Sequence, residues 1–551
     1  MLLTILNYLY VGFFVLFFFG FCIFIHELGH FLAAKWRKMH IVAFSIGFKK
    51  IWGFTRNGIE YRIGCLPFGG YVDIPQLEAS DSLEDQNGKK LPPIKPVDRI
   101  IVAFAGPLFN VLFGFVLATF LWIHGIPQVS PKMNSIKVAE ITQNSPEYRA
   151  GLRKGDDIVR FNEQTFYTNW NGFIQKTIFT IGDVNLGIKK GQNIETISYS
   201  PAINHNVFPE MAKEGLPYPF FKPEIPIVIQ VASNSPAAKD GLKSKDRIIK
   251  INGATIIDYK DYTVALDKSN GKAMDLTILR NGKEISLKIT PNAYGDGKKY
   301  LIGISFNPEA LPIAVENIRE NSPAQKAGLK AGDTILKANN ITPESINQFT
   351  NIINNSKGKL VNFLVRRDGK NLNIAITPKL YYFIKGASVQ YYDHTNPWQQ
   401  FINVIQMSYK SLRGIFSDES RIKAKHLSGP IGIVTVIGKA VYHGSVVYAL
   451  NIITLITFSL ALINLLPLPV LDGGHILISI IEIITGRSLP TRLLQPICMA
   501  FVILLITLMI FVTFNDVNRI TNFTKYFKSE KKEAPIGNKA KNLQETPIPA
   551  K

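Results

Sequence analysis

Polar residues able to do chemistry stand in two oily parts of this chain. In FCIFIHELGHFLAAKW, from Phe21 to Trp36, His26 and His30 are four residues apart and Glu27 sits beside the first. On a helix that spacing turns both imidazoles to one face and brings the carboxylate close to the same point. Neutral imidazole nitrogen suits zinc, which lowers the pKa of a bound water toward 7 and leaves an adjacent carboxylate to act as general base. The second place is NLLPLPVLDGGHILI, from Asn464, where two prolines, Asp472 and two glycines interrupt an apolar stretch.

The location sharpens the chemistry. Before Lys35 the chain has no Lys or Arg, and Glu27 is its only acid. Roughly thirty residues could therefore cross a bilayer, which needs about twenty. Ionisable groups at that depth are costly and mark a functional site by default. A catalytic zinc of the HExxH type needs a third protein ligand and an open position. The Pro and Gly residues after Asn464 must break a helix, and broken backbone at membrane depth is tolerated where it is buried in protein or lines a wet cavity. Asp472 is the natural third ligand there, with His475, three residues on, as its competitor. The Asn464 amide could donate to a substrate backbone or to the oxyanion formed during attack, or it could cap or join helices.

Composition agrees with a membrane protein carrying aqueous modules. The chain has 551 residues, 46% of them hydrophobic, too long for one domain and too oily for an ordinary soluble protein. Further spans read at about 101–124, 445–466 and 493–514. The first segment has no basic n-region and no clear small-x-small site, so it reads as a retained anchor rather than a cleaved signal. Lys35, Arg37, Lys38, Lys49, Lys50, Arg56 and Arg62 follow it, which places the N-terminus outside and this loop in the cytoplasm. Cys22, Cys65 and Cys498 lie in or near the spans and the long middle has none, so no disulfide framework is expected there. The net charge of +21 is spread through loops and tail without a nucleic-acid motif. It suits the anionic lipid surface of a bilayer and no nucleic-acid partner.

Three similar stretches about ninety residues apart fill the middle: NSPEYRAGLRKGDDIVRFN from Asn144, NSPAAKDGLKSKDRIIKIN from Asn234 and NSPAQKAGLKAGDTILKAN from Asn321. Such a period means three similar domains in tandem. Each reads as a Ser-Pro turn, one helical turn ending at Gly151, Gly241 or Gly328, and an alternating strand. The signatures resemble PDZ domains of the bacterial protease-associated type, which implies peptide capture by strand addition. Since the second span leaves the cytoplasm, all three are expected outside. From His394 to Phe416, apolar residues recur at helical spacing with Lys and Arg between, which suits a helix on the membrane surface or a plain amphipathic linker.

HELGH in the first span, NLLPLPVLDGGH near the third and PDZ modules between spans together resemble the site-2 protease family of intramembrane zinc proteases. The resemblance extends to FSIGFKK, GIEYRIGCLPFGGYVDI, FAGPLFN and LSGPIGIV, nearly the whole chain to about Arg519. It implies His26, His30 and Asp472 as ligands of one zinc ion per chain, Glu27 as base, and Asn464 as a catalytic, substrate-contacting residue. The stretch from Gly58 to Asp73 reads as a β-hairpin, which in the family dips into the membrane near the active site. It would offer a strand edge to an unwound substrate, with Gly58, Tyr61, Gly69 and Gly70 as substrate-binding residues.

The expected fold class is a multi-span α-helical membrane protein, with about four transmembrane helices and a membrane-associated β-hairpin, carrying three tandem extracytoplasmic PDZ-like α+β domains. In chain order these are a first transmembrane helix (1–34), a cytoplasmic loop with the hairpin (35–100) and a second helix (101–124). PDZ-like domains follow at 134–222, 223–305 and 306–382, then an amphipathic linker (383–425). A third helix with the LDGGH break (426–484), a fourth helix (493–514) and a Lys-rich disordered tail (515–551) complete it. Relatives usually have two PDZ modules, so the third is a departure.

The resemblance implies regulated intramembrane proteolysis of a single-pass transmembrane protein in the bacterial cytoplasmic (inner) membrane, with the active site toward the cytoplasm. An anti-sigma factor already shortened by an upstream site-1-type protease is the expected substrate, along with signal-peptide remnants, and the PDZ domains would gate access. The alternative is a catalytically silent PDZ membrane scaffold. Intact HELGH and LDGGH together argue against it.

Overall fold

The computed structural model describes residues 2–529 apart from 78–90, 93, 205–214, 294–299, 302–303, 307–312, 320–321, 331, 344–345, 368, 384–386, 443–444, 488 and 490. It divides into two units, residues 1–228 with 389–517, and residues 229–388 with 518–551.

The helices of the first unit include α1 (Leu2–Trp36), α2 (Pro96–His124), α3 (Pro397–Phe416), α4 (Pro430–Tyr442), α5 (Val446–Asn464), α6 (Asp472–Thr485) and α7 (Thr491–Ser529) as far as Val517. Leu9–Trp36, Pro96–His124, Val446–Asn464 and Leu494–Asn518 are each long and apolar enough to cross a membrane. No proline interrupts α1. α2 starts at Pro96, whose fixed φ suits a first helical turn, and stops at Gly125 with φ +79. α5 and α6 are parted by Pro467 and Pro469, as the sequence requires. α7 runs on through Ser529, so the tail boundary expected at 515 falls inside a helix; residues 530–551 lie outside the described residues.

α1 and α2 meet through glycine. A Cβ on Gly29 would lie 2.4 Å from the Ala105 carbonyl oxygen, so only a residue without a side chain lets the backbones come this close. Farther along α1, Phe14, Val15 and Cys22 share a core with Ile437 and Val441 of α4 and Ala449 and Ile453 of α5.

The loop between α1 and α2 folds as β1 (Ala43–Arg56) and β2 (Ile59–Asp73). Asn57 and Gly58 join them with φ of 54° and 76°, the two positive values that a tight hairpin turn demands. The hairpin expected within 58–73 is therefore corrected: that stretch is its second strand. Ala43–Ile46 pairs on one side with residues 60–63 and on the other with residues 70–73. β2 folds back to flank it, which leaves 70–73 as an edge.

Also in the first unit is a strand-rich module of β3 (Ile136–Ile141), β4 (Asp157–Phe161), β5 (Val184–Lys190), β6 (Asn193–Tyr199) and β7 (Phe221–Pro223), in the order β6-β5-β4-β3-β7. Its core joins Phe173 to Leu186, Ile188 and Phe221. The repeated signature is the same local device in each copy. Ser145, Ser235 and Ser322 accept from the amide three residues on, capping one helical turn. Gly151, Gly241 and Gly328 then take φ of +111°, +91° and +82°.

In the second unit, β8 (Ile227–Val231), β9 (Arg247–Ile251), β10 (Met274–Arg280) and β11 (Lys283–Ile289) form a second sheet. A third contains β12 (Ile304–Phe306), β13 (Ile313–Ile318), β14 (Thr334–Ala338), β15 (Val361–Arg367) and β16 (Lys370–Ile376). The second sheet is closed by β17 (Ala387–Val389), giving the order β11-β10-β9-β8-β17. Two short ladders, Asn292 and Ala293 with Phe383 and Tyr382, and Tyr300 and Leu301 with Leu380 and Lys379, bring the chain back. The serial boundaries at 305 and 382 are thus corrected: the third sheet is inserted in the second, and 387–389, expected in the linker, is its edge strand. The expected amphipathic helix is α3, which packs Val404 on Ala118 and Phe458 and exposes Trp398, Tyr409 and Phe416.

Candidate metal centre

α1 carries His26 and His30 one helical turn apart, with rings 4.7 Å centre to centre. Asp472 reaches them as the first residue of α6, after the loop of residues 465–471. The two glycines behind it explain that placement. A Cβ on Gly473 would lie 2.2 Å from the Leu466 carbonyl oxygen, and one on Gly474 2.2 Å from that of Leu468, so the loop can fold tightly against the first turn of α6 only because both side chains are missing.

His26 Nε2 lies 3.2 Å from Asp472 Oδ2, His30 Nε2 3.4 Å from Asp472 Oδ1, and the two Nε2 atoms are 3.2 Å apart. Donors at the corners of a tetrahedron about zinc, with bonds near 2.0 Å, stand about 3.3 Å from one another. The two imidazole nitrogens have this spacing, and the carboxylate, turning one oxygen toward each of them, completes a donor set that fits zinc and leaves a position open. Among the described residues, these three are the His, Cys, Asp or Glu side chains close enough together to share one ion. His475 is not in the group.

The far nitrogen of each ring is also held. His30 Nδ1 donates to the Val102 carbonyl of α2 at 2.8 Å, which leaves the Nε2 lone pair for a metal. His26 Nδ1 lies 3.3 Å from the Asn110 amide, while Asn110 Oδ1, fully buried, has no partner. Turning the carboxamide over lets Oδ1 accept the Nδ1–H, the tautomer that leaves His26 Nε2 for a metal. Gly106, between them on α2, leaves room for the His30 ring, since a Cβ there would lie 2.2 Å from its Nε2. Gly106→Ala should therefore displace His30, costing about 1–3 kcal/mol by overpacking and weakening zinc retention. Denaturation and metal analysis of the purified variant check both effects.

Glu27 is buried beside the cluster, with the Val72 amide close to its carboxylate. Gly70 permits that approach: its Cβ would sit 3.0 Å from Glu27 Cγ and 2.9 Å from the Ser45 carbonyl oxygen. Asn464, the last residue of α5, places Nδ2 3.3 Å from His26 Nε2. Gly69 lies under the Phe48 ring. Gly58 makes the turn, and Tyr61 packs its ring against Phe31 and Phe44 at 6.1 and 6.3 Å, fastening the hairpin to α1. Next to it, bonds from Arg62 and then Lys50 hold the Glu60 carboxyl down to about 2, so this surface network keeps its charges at any working pH.

Gly106 and Asn110 stand in FAGPLFN, but their meaning depends on which face of α2 meets α1, and the Val102 carbonyl leaves no mark in the sequence.

Residues 14–508 match Peptidase family M50. The regulator of sigma-E protease RseP of Escherichia coli (strain K12) is 26% identical over 512 residues, covering 91% of this chain and 97% of its own length. The regulator of sigma E protease of Haemophilus influenzae is 27% identical over 506 residues, covering 90% and 96%. A PDZ domain protein from Parabacteroides distasonis covers 48% of this chain and 98% of that one at 13% identity, with a TM-score of 0.17, too low to bear on the argument. With the family matched across most of its length, the chain belongs to Peptidase family M50, the site-2 type zinc metalloproteases.

Proposed function

We propose that this chain cleaves a peptide bond within or beside the membrane span of a single-pass protein, using one zinc ion held by His26, His30 and Asp472. The observation that carries the reading is the meeting of three ligand atoms from opposite ends of the sequence, on or next to helices apolar enough to span a bilayer. Zinc in that position supplies a Lewis acid and lowers the pKa of a water toward neutrality. Glu27 takes the proton from the attacking water and delivers it to the leaving amine. With the His26 lone pair committed to the metal, the Asn464 amide faces the substrate and donates to its backbone or to the developing oxyanion.

A transmembrane substrate arrives as a helix whose peptide bonds are shielded by their own hydrogen bonds. The edge at residues 70–73, beside Glu27, can pair with an unwound segment and hold it extended. Gly69 and Gly70 give that edge its close approach, and Gly58 and Tyr61 support it through the turn and the packing on α1.

The Lys and Arg residues after α1 favour a cytoplasmic hairpin, with the strand-rich modules outside and the active site toward the cytoplasmic side of a bacterial inner membrane. The modules act as PDZ-like filters that exclude substrates with bulky external domains. The substrate is then a membrane-bound anti-sigma factor trimmed by an upstream site-1-type protease. Reconstituted vesicles test this: the native chain should cut a trimmed single-pass substrate in preference to an untrimmed one, and a variant lacking all three modules should lose the preference. An unchanged preference removes the filter from the account. Capture of substrate without any cutting would favour a silent scaffold.

A further inference from the structure

One face of α2 organises the metal centre. Arg99, Val102, Gly106 and Asn110 recur at helical spacing, so they share a stripe. Val102 and Gly106 serve His30 and Asn110 serves His26. Among the described residues, the side-chain partners of the remaining ligand, Asp472, are His26 and His30. Arg99 reaches the helix that carries Asp472: Nη1 donates to Glu482 Oε2 at 2.7 Å, with both side chains almost wholly buried, 11% and 5% exposed.

We propose that Arg99 and Glu482 are a positioning pair that holds α6, and with it Asp472, in register with the two histidines. This rests on the reading of Asp472 as a zinc ligand. Three observations support it. First, α6 packs along α2, and the Arg99–Glu482 pair is a directional polar tie within that packing. The N-cap of α6, Leu471, offers no side-chain bond, and the helix ends at Gly486 in a left-handed turn. Second, Glu482 lies ten residues beyond Asp472, about 15 Å along the axis. The helix is tied at both ends, by the carboxylate of Asp472 at the cluster and by that of Glu482 at Arg99. Third, Arg99 also donates through Nε to the Gln76 carbonyl at 3.2 Å. Gln76 is buried, accepts from the His40 amide at 2.7 Å and donates to the Pro92 carbonyl at 2.9 Å.

Gln76 stands three residues past the end of β2. Arg99 thus joins the helix carrying Asp472 to the exit of the strand that lies beside Glu27. A buried ion pair of this kind is a weak source of stability but a strong constraint on geometry, because either partner alone would be left charged and unpaired. Glu482 Oε1 is itself buried without a partner among the described residues, a cost that apolar packing at the same place would have avoided.

The test compares the full-length native chain with Arg99→Met, Glu482→Gln and the exchanged pair Arg99→Glu with Glu482→Arg. Two readouts are taken in detergent: zinc affinity by competition with a chelator, and hydrogen exchange of the amides of residues 473–478 in metal-free protein. Each single variant should bind zinc about tenfold more weakly, in the range that outer-shell partners contribute, and exchange faster at the start of α6. The exchanged pair should recover both. Amides of residues 157–161, in the strand-rich module of the same unit, report whether a variant has folded. Native affinity and native exchange in folded single variants overturn the proposal, as does an exchanged pair no better than the singles. If the single variants do not fold, recovery in the exchanged pair decides. A native chain that takes up no zinc refutes the metal reading, and the exchange readout then judges the pair on its own.

Discussion

Glu27→Gln is expected to keep its zinc and its fold while hydrolysis falls by about 10²- to 10⁴-fold, the usual contribution of a positioned general base. Glutamine preserves the shape against Gly70 and keeps an oxygen toward the Val72 amide. What it removes is the ability to take a proton. The measurement is the cleavage rate of a reconstituted single-pass substrate, with metal content determined on the same preparation. A variant within a few-fold of the native rate would transfer the base to another group. Loss of zinc together with activity would make Glu27 a structural neighbour of the centre.

Asp472→Asn should have the other large effect, through the metal. The amide copies the carboxylate in size and leaves α6 able to start at the same residue, but it is a poor zinc ligand. Retention should fall by more than the about 10- to 100-fold that an outer-shell partner costs, and hydrolysis should fall below detection. His475→Ala, by contrast, should hold zinc as the native chain does, since the cluster closes without it. If the two results were reversed, His475 would be the third ligand and the loop at residues 465–471 would have to rearrange to present it.

The chemistry was legible because its residues sit where they are costly. His26, Glu27 and His30 stand out against an apolar run, and the prolines and glycines around Asp472 announce a break that a spanning helix would not otherwise contain. The groups that orient those ligands were hidden for a physical reason. Asn110 and Arg99 look like ordinary helix residues until α1 and α2 are placed side by side, and a backbone carbonyl such as that of Val102 has no sequence signature at all. Gly58 was legible as a glycine that mattered. Its positive φ assigns it to the turn, where alternation alone could not separate turn from site.

The strand-rich modules show a similar boundary. Each Ser-Pro turn and following glycine could be foreseen, because capping and a left-handed residue are local. Which later segment closes each sheet is a long-range matter. β17 returns to the second sheet after the whole third sheet has formed, and no repeat in the sequence marks it. In the same way β1 and β2 alternate as strands should, yet the double pairing of residues 43–46 depends on β2 folding back.

Metal content of the purified chain tests the account most directly, because it needs no guess about substrate. The native chain and a His26→Ala, His30→Ala variant would be purified gently in detergent, supplied with zinc, freed of excess and analysed per mole of protein. About one zinc per native chain and none in the variant is the predicted result. A native chain that holds no zinc and takes up none when it is supplied would contradict the assignment of His26, His30 and Asp472 and leave the silent scaffold as the better description.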